Sequence, residues 1–271
     1  MEPSPTLVPE ALLGTLTAKA RKLAFAGIAA LGLAACASPD GSGQVADPLE
    51  PVNRYVFAFN QAVDTTLLEP TAAFYRDFVP DPARDSVRNF LRNLESPIIL
   101  ANDVLQGDLD AAGVTTKRFF INTTVGLLGL FDRAAKMGLE RRDEDFGQTL
   151  GRYGVGPGIY IVLPILGPSN LRDAAGMVVD YYFDPLNYYA DNTDRRGITL
   201  ARTAVRGIDA RSRTIETLDE IERTSIDFYA TLRSLYSQRR DSDIRNGATP
   251  SLPKLDMSGG EDEDRTASLK Q

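Results

Sequence analysis

The chain has 271 residues, of which 43% are hydrophobic, and it carries a formal net charge of −7 at pH 7. It contains no histidine and one cysteine, which excludes Ser-His-Asp and Cys-His catalysis, most imidazole metal sites, thiolate clusters and internal disulfides. The acidic balance, without a long basic run, argues against nucleic acid as a partner. The length suits one domain with tails, and the sequence predicts no catalytic, cofactor or metal site.

The N-terminal residues predict an export signal. Three basic residues within 19–22 precede the apolar run 23–33, which has the length of a signal-peptide core and is too short to span a bilayer. The tetrapeptide Leu-Ala-Ala-Cys that ends at Cys36 is similar to the bacterial lipobox, in which the chain is cut before the cysteine and the cysteine is acylated. A buried structural cysteine in a first helix is the alternative.

The lipobox interpretation divides the N-terminal part of the chain. Residues 1–35 are then an N-terminal extension and lipoprotein signal peptide, and residues 36–46 are an acylated, glycine-bearing tether. Ala37 and Ser38 follow the cysteine, and lipoproteins of this type without aspartate there are usually sorted to the outer membrane. At the other end, the acidic tail 248–271 has the composition of a disordered segment.

Residues 47–247 predict a series of short amphipathic helices. An acid or serine followed by proline is typical of a helix start. The side chain accepts hydrogen bonds from the free N–H groups of the first turn, and proline lacks the N–H that would have no partner at that position. Five such pairs are predicted to begin helices: Asp47-Pro48, Glu69-Pro70, Asp81-Pro82, Ser96-Pro97 and Asp184-Pro185. Asp108 and Ser169 are predicted to cap two further helices, and residues 146–150 predict one helical turn.

The C-terminal part predicts a longer helix. Apolar residues recur at helical spacing from Thr199 to Arg240, with a possible break near Gly207. Two segments before it leave alternatives open. The apolar, glycine-spaced run 121–131 suits a helix in the lipid headgroup zone or an ordinary core helix, and the tyrosine-rich run 181–189 suits a membrane boundary or a surface turn.

No charged residue occurs between Arg152 and Arg172. Four glycines and three prolines within this stretch make a continuous helix unfavourable, because each internal proline costs about 3 kcal/mol. In a bilayer, backbone that is not helical must be buried in protein or line a wet cavity. The sequence therefore predicts that other elements surround the stretch or that it lies at the membrane boundary.

Two short motifs within this stretch do not predict enzyme chemistry. The glycine-rich run 154–158 lacks the Lys-Ser/Thr pair of a phosphate loop. Gly167-Pro-Ser169 lacks the flanking glycine pattern of a nucleophile elbow, and no histidine exists to activate the serine.

Several blocks resemble the MlaA (VacJ) family of outer-membrane phospholipid-transport lipoproteins. They lie at 47–54, 57–60, 118–126, 129–132, 146–156 and 163–173, with further matches at 227–229, Arg233 and 236–239. The extended N-terminus before the signal departs from the family pattern and puts only the start codon in doubt.

The resemblance implies a mainly α-helical single domain, with short amphipathic helices arranged as a ring around a lipid channel and a long C-terminal helix. It implies a protein in the inner leaflet of the outer membrane of a Gram-negative bacterium. Such a protein removes phospholipids mislocalised to the outer leaflet, with a trimeric porin as scaffold, and passes them to a periplasmic lipid carrier. This activity is not enzymatic. A scaffold lipoprotein that transports nothing is the alternative, and a phospholipase ranks third.

Two apolar, uncharged segments are predicted to form or gate the lipid path, and one helix is predicted to control its opening. The path residues are Val125, Leu127, Leu128, Leu130, Phe131, Ile159, Ile161, Leu163 and Ile165. The gating residues are Asn53, Arg54, Phe57, Phe59 and Asn60.

Overall fold

The computed structural model describes residues 47–246. The predicted signal peptide, the lipidation site Cys36, the tether and the acidic tail lie outside the described residues. Within residues 47–246, no helix combines the length and the apolar composition that crossing a membrane requires.

Helices dominate the described chain, which confirms the mainly α-helical prediction. They are α1 (Glu50–Val63), α2 (Glu69–Phe78), α3 (Asp81–Leu105), α4 (Leu109–Thr124), α5 (Arg133–Lys136), α6 (Phe146–Arg152), α7 (Leu171–Phe183), α8 (Pro185–Asn192), α9 (Gly197–Ser212), α10 (Ile215–Thr224) and α11 (Phe228–Ile244). A π-helical turn, Asp64–Leu68, joins α1 to α2. The two strands β1 (Tyr160–Leu163) and β2 (Gly167–Asn170) form an antiparallel hairpin.

Two predicted helix boundaries are wrong. Ser96-Pro97 does not begin a helix, because α3 runs through Pro97; Leu91 and Ile99 are buried on either side of it, and this packing offsets the cost of the proline. The pattern from Thr199 to Arg240 forms three helices, and Gly207 lies inside the first of them. Periodicity alone did not reveal these interruptions, because the apolar spacing continues through both breaks.

The predicted caps divide into three groups. Asp108 and Asp184 accept backbone N–H bonds as predicted, from Ala111 at 3.0 Å and Leu186 at 2.9 Å. Ser169 does not cap α7; Asn170 does, by accepting from the N–H of Asp173 at 2.8 Å.

The other predicted caps form no capping bond. The starts of α1, α2 and α3 have no side-chain cap bond. The carboxylate of Asp47 instead accepts from Asn53 at 2.8 Å and lies 3.3 Å from the guanidinium of Arg233 on α11. This residue therefore ties the chain start to the C-terminal helix.

The contacts between elements form a closed ring. Helix α1 packs on β1, β2 packs on α7, α7 packs on α3, α3 packs on α9, and α9 returns to α2 and the π-helical turn that continues α1. Arg211 of α9 strengthens the last junction, because its guanidinium lies 2.9 Å from Asp64 and 3.0 Å from Glu69. The remaining helices attach to members of this ring, as α4 does to α3 and α6 to α7, and many large apolar side chains stay exposed.

Burial in this ring is reversed relative to an ordinary soluble domain. Among the described residues, the buried set contains more polar and charged side chains than apolar ones. The apolar core cluster consists of Tyr160, Val162 and Tyr229, with Val56, Phe57 and Tyr236 packed against it. Large apolar side chains lie mostly outside, and soluble monomers rarely expose extensive apolar patches.

Candidate functional site

The uncharged stretch 153–171 contains the hairpin. Tyr160 and Val162 point into the core cluster, and the alternate residues Ile159, Ile161 and Leu163 are half-buried on the other side, as the two-residue period of a strand requires. Ile165 at the turn is 73% exposed. The four predicted path residues of this stretch therefore occupy the outer face and the tip of the hairpin.

Helix α1 binds the edge of this hairpin through two asparagine amides. Asn53 donates to the carbonyl of Tyr160 at 3.1 Å and accepts from the N–H of Val162 at 2.9 Å. Asn60 repeats the pattern, because it donates to the carbonyl of Leu163 at 2.9 Å and accepts from the N–H of Ile165 at 2.7 Å. Each amide therefore bonds one carbonyl and one N–H of the hairpin, as the backbone of a neighbouring strand would.

The spacing of the two asparagines matches the strand. Seven helical residues rise about 10.5 Å and return to nearly the same face, while three strand residues rise about 10 Å. The amides of Asn53 and Asn60 therefore meet backbone groups that are three residues apart on the hairpin. Sequence reasoning missed this pairing, although two asparagines seven residues apart beside an unpaired strand edge are a recognisable signal.

The other predicted gating residues divide between attachment and exposure. Arg54 lies 2.8 Å from Glu50 and 2.5 Å from Asp227, and Phe57 packs edge-to-face on Tyr229 with 5.5 Å between ring centroids. Phe59 is 52% exposed. Four of the five residues thus fasten α1 to the hairpin and to the start of α11.

The predicted path residues at 125–131 lie in a loop, because α4 ends at Thr124. Their side chains are exposed: Val125, Leu127, Leu128, Leu130 and Phe131. The core-helix alternative is therefore wrong for these five residues. Leu127 and Leu128 have φ values of 53° and 59°, a conformation that leucine rarely adopts.

Hydrogen bonds of polar side chains on α3 and α4 hold this loop in place. Asn93 donates to the hydroxyl of Thr123 at 2.9 Å, and Asn122 donates to Asp132 at 3.0 Å and accepts from the N–H of Ala134 at 3.0 Å. These bonds therefore fix the position of the loop, and its apolar side chains stay exposed. No hydrogen bond among the described residues joins it to the hairpin, since the loop is bound to α3 and α4 and the hairpin to α1.

We expect Gly129→Ala to lower the free energy of unfolding by about 1–3 kcal/mol, because the positive φ that glycine adopts freely would strain alanine and because there is no room for a Cβ. Gly129 has φ +92°, and an added Cβ would lie 2.5 Å from the Cβ of Asn93. Urea unfolding of the purified variants measures the change. Gly113→Ala is the matched control; nothing lies within 4 Å of its added Cβ in α4, so it should stabilise by about 0.5–1 kcal/mol. Equal effects at both positions would contradict this account.

A partly buried ion cluster joins the last helix to the N-terminal ends of α6 and α7. Arg240 of α11 donates to Asp173 at 2.8 Å and to Asp145 at 2.7 Å. Burial opposes the charged form of both carboxyls, but the hydrogen bonds and charge of Arg240 outweigh it and hold their pKa values below the ordinary range. Sequence reasoning did not find this cluster, since its members are widely separated along the chain.

Exposed apolar side chains also cover the outside of α1 and α2. They include Val52, Tyr55, Phe59, Leu67, Phe74 and Phe78. The tyrosine-rich run at the ends of α7 and α8 is exposed as well, with Tyr182 at 75% and Tyr188 at 70%. Among residues 47–246, no group of three or more potential metal-binding side chains is assembled.

The sequence and this fold match one family. A family model described as MlaA lipoprotein matches residues 45–243. The chain belongs to the MlaA lipoprotein family. The chain is 38% identical to the intermembrane phospholipid transport system lipoprotein MlaA of Escherichia coli over 221 residues, which cover 79% of this chain and 85% of that protein.

Other members agree with this assignment. The MlaA lipoprotein of Haemophilus influenzae is 33% identical over 236 residues, covering 84% of this chain and 92% of that protein. A protein of Rickettsia bellii is 38% identical over 216 residues, covering 79% and 83%. A solved structure described as "Structural basis for maintenance of bacterial outer membrane lipid asymmetry" is 37% identical, with a TM-score of 0.66, and covers 73% of this chain and 99% of that one. The MlaA resemblance read from the sequence blocks is thereby confirmed.

Proposed function

We propose that this chain moves phospholipids that are mislocalised to the outer leaflet of the outer membrane. They pass through an amphipathic channel in the helical ring to a periplasmic lipid carrier, so that the lipid asymmetry of the membrane is maintained. The chain lies at the periplasmic face of the outer membrane, held by acylated Cys36, with a trimeric porin as scaffold. It acts without catalysis.

One observation carries the proposal, which is the reversed burial of the ring in a member of the MlaA family. Apolar side chains on the outside of α1 and α2 are stable against acyl chains and costly in water, at about 25 cal/mol per Å² of apolar surface. Most buried polar side chains are hydrogen-bonded to one another or to the backbone, with a few exceptions such as the Oε1 of Gln148. A lipid headgroup can cross a bilayer only beside such groups, because an unpaired polar group costs several kcal/mol in hydrocarbon.

The hairpin and the loop 125–131 are proposed to contact the acyl chains. Both present exposed apolar side chains, the loop from its attachment to α3 and α4 and the hairpin tip from strands packed on α1 and α7. Helix α1 is proposed to control access, since the amide bonds of Asn53 and Asn60 are few and discrete. Breaking them frees the outer edge of the hairpin without disturbing the other junctions of the ring.

We expect Ile165→Asn to reduce lipid transfer without harming the fold. Ile165 has φ +67°, a conformation that strains a β-branched residue and that asparagine tolerates well. The substitution therefore removes apolar surface from the hairpin tip while it relieves backbone strain, and stability should stay equal or rise by up to about 1 kcal/mol. Complementation of a deletion strain measures function through the phospholipid content of the outer leaflet.

The control for this test is Ile226→Asn, at a fully exposed position between α10 and α11. This variant should restore outer-leaflet composition as well as the wild-type chain does. A deletion strain with unchanged outer-leaflet composition would contradict transport and favour the scaffold alternative. Lipolysis by the purified chain would contradict the absence of catalysis.

A further inference from the structure

We propose that Arg92, at a polar cleft between α3 and α4, binds the phosphate of a phospholipid headgroup while the neighbouring loop 125–131 contacts the acyl chains. This inference rests on the proposed transport function and assigns it a headgroup site.

The cleft is lined by polar side chains from both helices and from the segment after α4. They include Asn89, Arg92, Asn93, Arg118, Asp132 and Arg141. The enclosed space is about 10 Å³, roughly enough for one water molecule. A phosphate must therefore bind at the mouth, where the side chain of Arg92 is exposed.

The other two cleft arginines already have partners. Arg118 donates to Asp132 at 2.7 Å and to the carbonyl of Leu139. Arg141 donates to Asp143 at 2.6 Å, to Glu95 at 2.9 Å and to the carbonyl of Arg92 at 2.8 Å. These bonds occupy the donors of both guanidinium groups and neutralise their charges.

Arg92 has no such partner in the part of the chain that the structure describes. No carboxylate of residues 47–246 lies within ion-pair distance of it, and its side chain makes no hydrogen bond there. One turn earlier on α3, Arg88 is 3.6 Å from Asp85, and its Nε is buried without a partner. The guanidinium of Arg92 thus offers free donors at the mouth of the cleft, and no carboxylate is paired directly with it.

The energetics of Arg92 agree with this geometry. Its pKa is lowered by partial desolvation and by the nearby charges of Arg141 and Arg88, which the carboxylates of Asp143 and Glu95 offset only in part, although a guanidinium remains charged at neutral pH. An anion bound at the mouth relieves this repulsion. Arginine suits phosphate in particular, because its planar fork donates two parallel hydrogen bonds.

The apolar loop lies directly beside this charge. Asn89 of the cleft donates to the carbonyl of Leu130 at 3.4 Å, and the loop residue Gly129 sits against Asn93. Leu127 and Leu128 project from the same loop. A phosphate next to exposed aliphatic side chains is the chemistry of a phospholipid, whereas a soluble phosphate would need no apolar neighbour.

Binding of two fluorescent lipids with the same acyl chains tests the site, with the full chain purified in detergent. One lipid is a phosphatidylethanolamine and the other is a diacylglycerol, which has no phosphate. We expect Arg92→Gln to weaken phosphatidylethanolamine binding about tenfold, the equivalent of one charge-assisted contact, and to leave diacylglycerol binding unchanged. Arg92→Lys should retain part of the affinity. Arg239→Gln, at an 82% exposed side chain of α11, should change neither.

The outcomes separate this inference from the transport function. If the wild-type chain binds both lipids and Arg92→Gln binds phosphatidylethanolamine normally, the headgroup site is wrong and transport stands. If the wild-type chain binds neither lipid, both are wrong. A third outcome is that inorganic phosphate binds the wild-type chain as tightly as the lipid does and fails to bind Arg92→Gln. That result would assign the site to free phosphate and overturn the headgroup assignment.

Discussion

Asn53→Leu should lower the free energy of unfolding by about 3–5 kcal/mol. The Asn53 side chain is 3% exposed, and its amide bonds both the carbonyl of Tyr160 and the N–H of Val162. Leucine has a similar volume but cannot form the hydrogen bonds to these two backbone groups or to the carboxylate of Asp47. Each buried polar group left without a partner costs about 1–3 kcal/mol. Urea unfolding followed by circular dichroism measures the loss.

Two asparagines provide controls for this result. Asn192→Leu removes an exposed side chain that bonds only the carbonyl of Tyr188 within α8, and it should change stability by less than about 0.5 kcal/mol. Asn60→Leu should fall between the two, because the Asn60 contacts are partly open to water. A loss of less than about 1 kcal/mol in the free energy of unfolding of Asn53→Leu would be close to the small changes expected at exposed positions. It would show that the amides do not hold α1 to the hairpin.

Arg240→Gln should lower the free energy of unfolding by about 3 kcal/mol at neutral pH. Arg240 is the shared partner of Asp145 and Asp173, whose side chains are 37% and 4% exposed. Breaking a buried ion pair from one side costs about 3–5 kcal/mol, because the remaining charge is left unpaired. We expect the lower end of that range because water reaches Asp145 and because Asp173 keeps a second partner, Arg172, at 3.0 Å.

The effect of Arg240 depends on pH in a defined direction. Burial opposes ionisation of Asp145 and Asp173, but Arg240 holds their folded-state pKa values below the ordinary value. A depressed carboxyl pKa contributes stability above the unfolded-state pKa, near 3.9, and loses it as the pH falls through the folded-state value. The stability difference between the wild-type chain and Arg240→Gln should therefore be largest at neutral pH and shrink in acid.

The matched control is Arg239→Gln, one residue earlier on α11. The Arg239 side chain is 82% exposed and 3.8 Å from Asp243, so its loss should cost less than about 1 kcal/mol. A stability difference for Arg240→Gln that stays constant as the pH falls from neutral to below the ordinary carboxyl pKa of about 3.9 would show that the substitution acts through packing and not through the two carboxylates.

Local sequence signals predicted the elements well where the bonding partner is also local. The caps Asp108 and Asp184 bond N–H groups two or three residues away, so the residue type and position were sufficient. The prolines and glycines of 153–171 correctly argued against a continuous helix, because their effect on the backbone acts within one turn. The same signals failed at Asp47 and at Ser96-Pro97, where distant packing outweighs the local preference.

The lipid path and the gating helix stay predictions. The five apolar residues at 125–131 are exposed and three of the four in the hairpin are half-buried, but the sequence could not say that residues 125–131 form a loop or that β1 and β2 form a hairpin. The residues of the predicted gating helix contact the hairpin, yet the role of Asn53 depends on Tyr160 and Val162, more than a hundred positions away. No sequence pattern distinguished Arg92 from the other arginines of α3, because its lack of a partner is a property of the fold.

The sequence by itself determined the mainly helical content, the family and the absence of histidine and thiolate chemistry. The tertiary structure decided which faces are buried, how the ring closes and which charges are neutralised. The physical reason is range: helix propensity and capping involve groups within about four residues, whereas ion pairs such as Arg240 with Asp145 form only when the fold brings distant segments together.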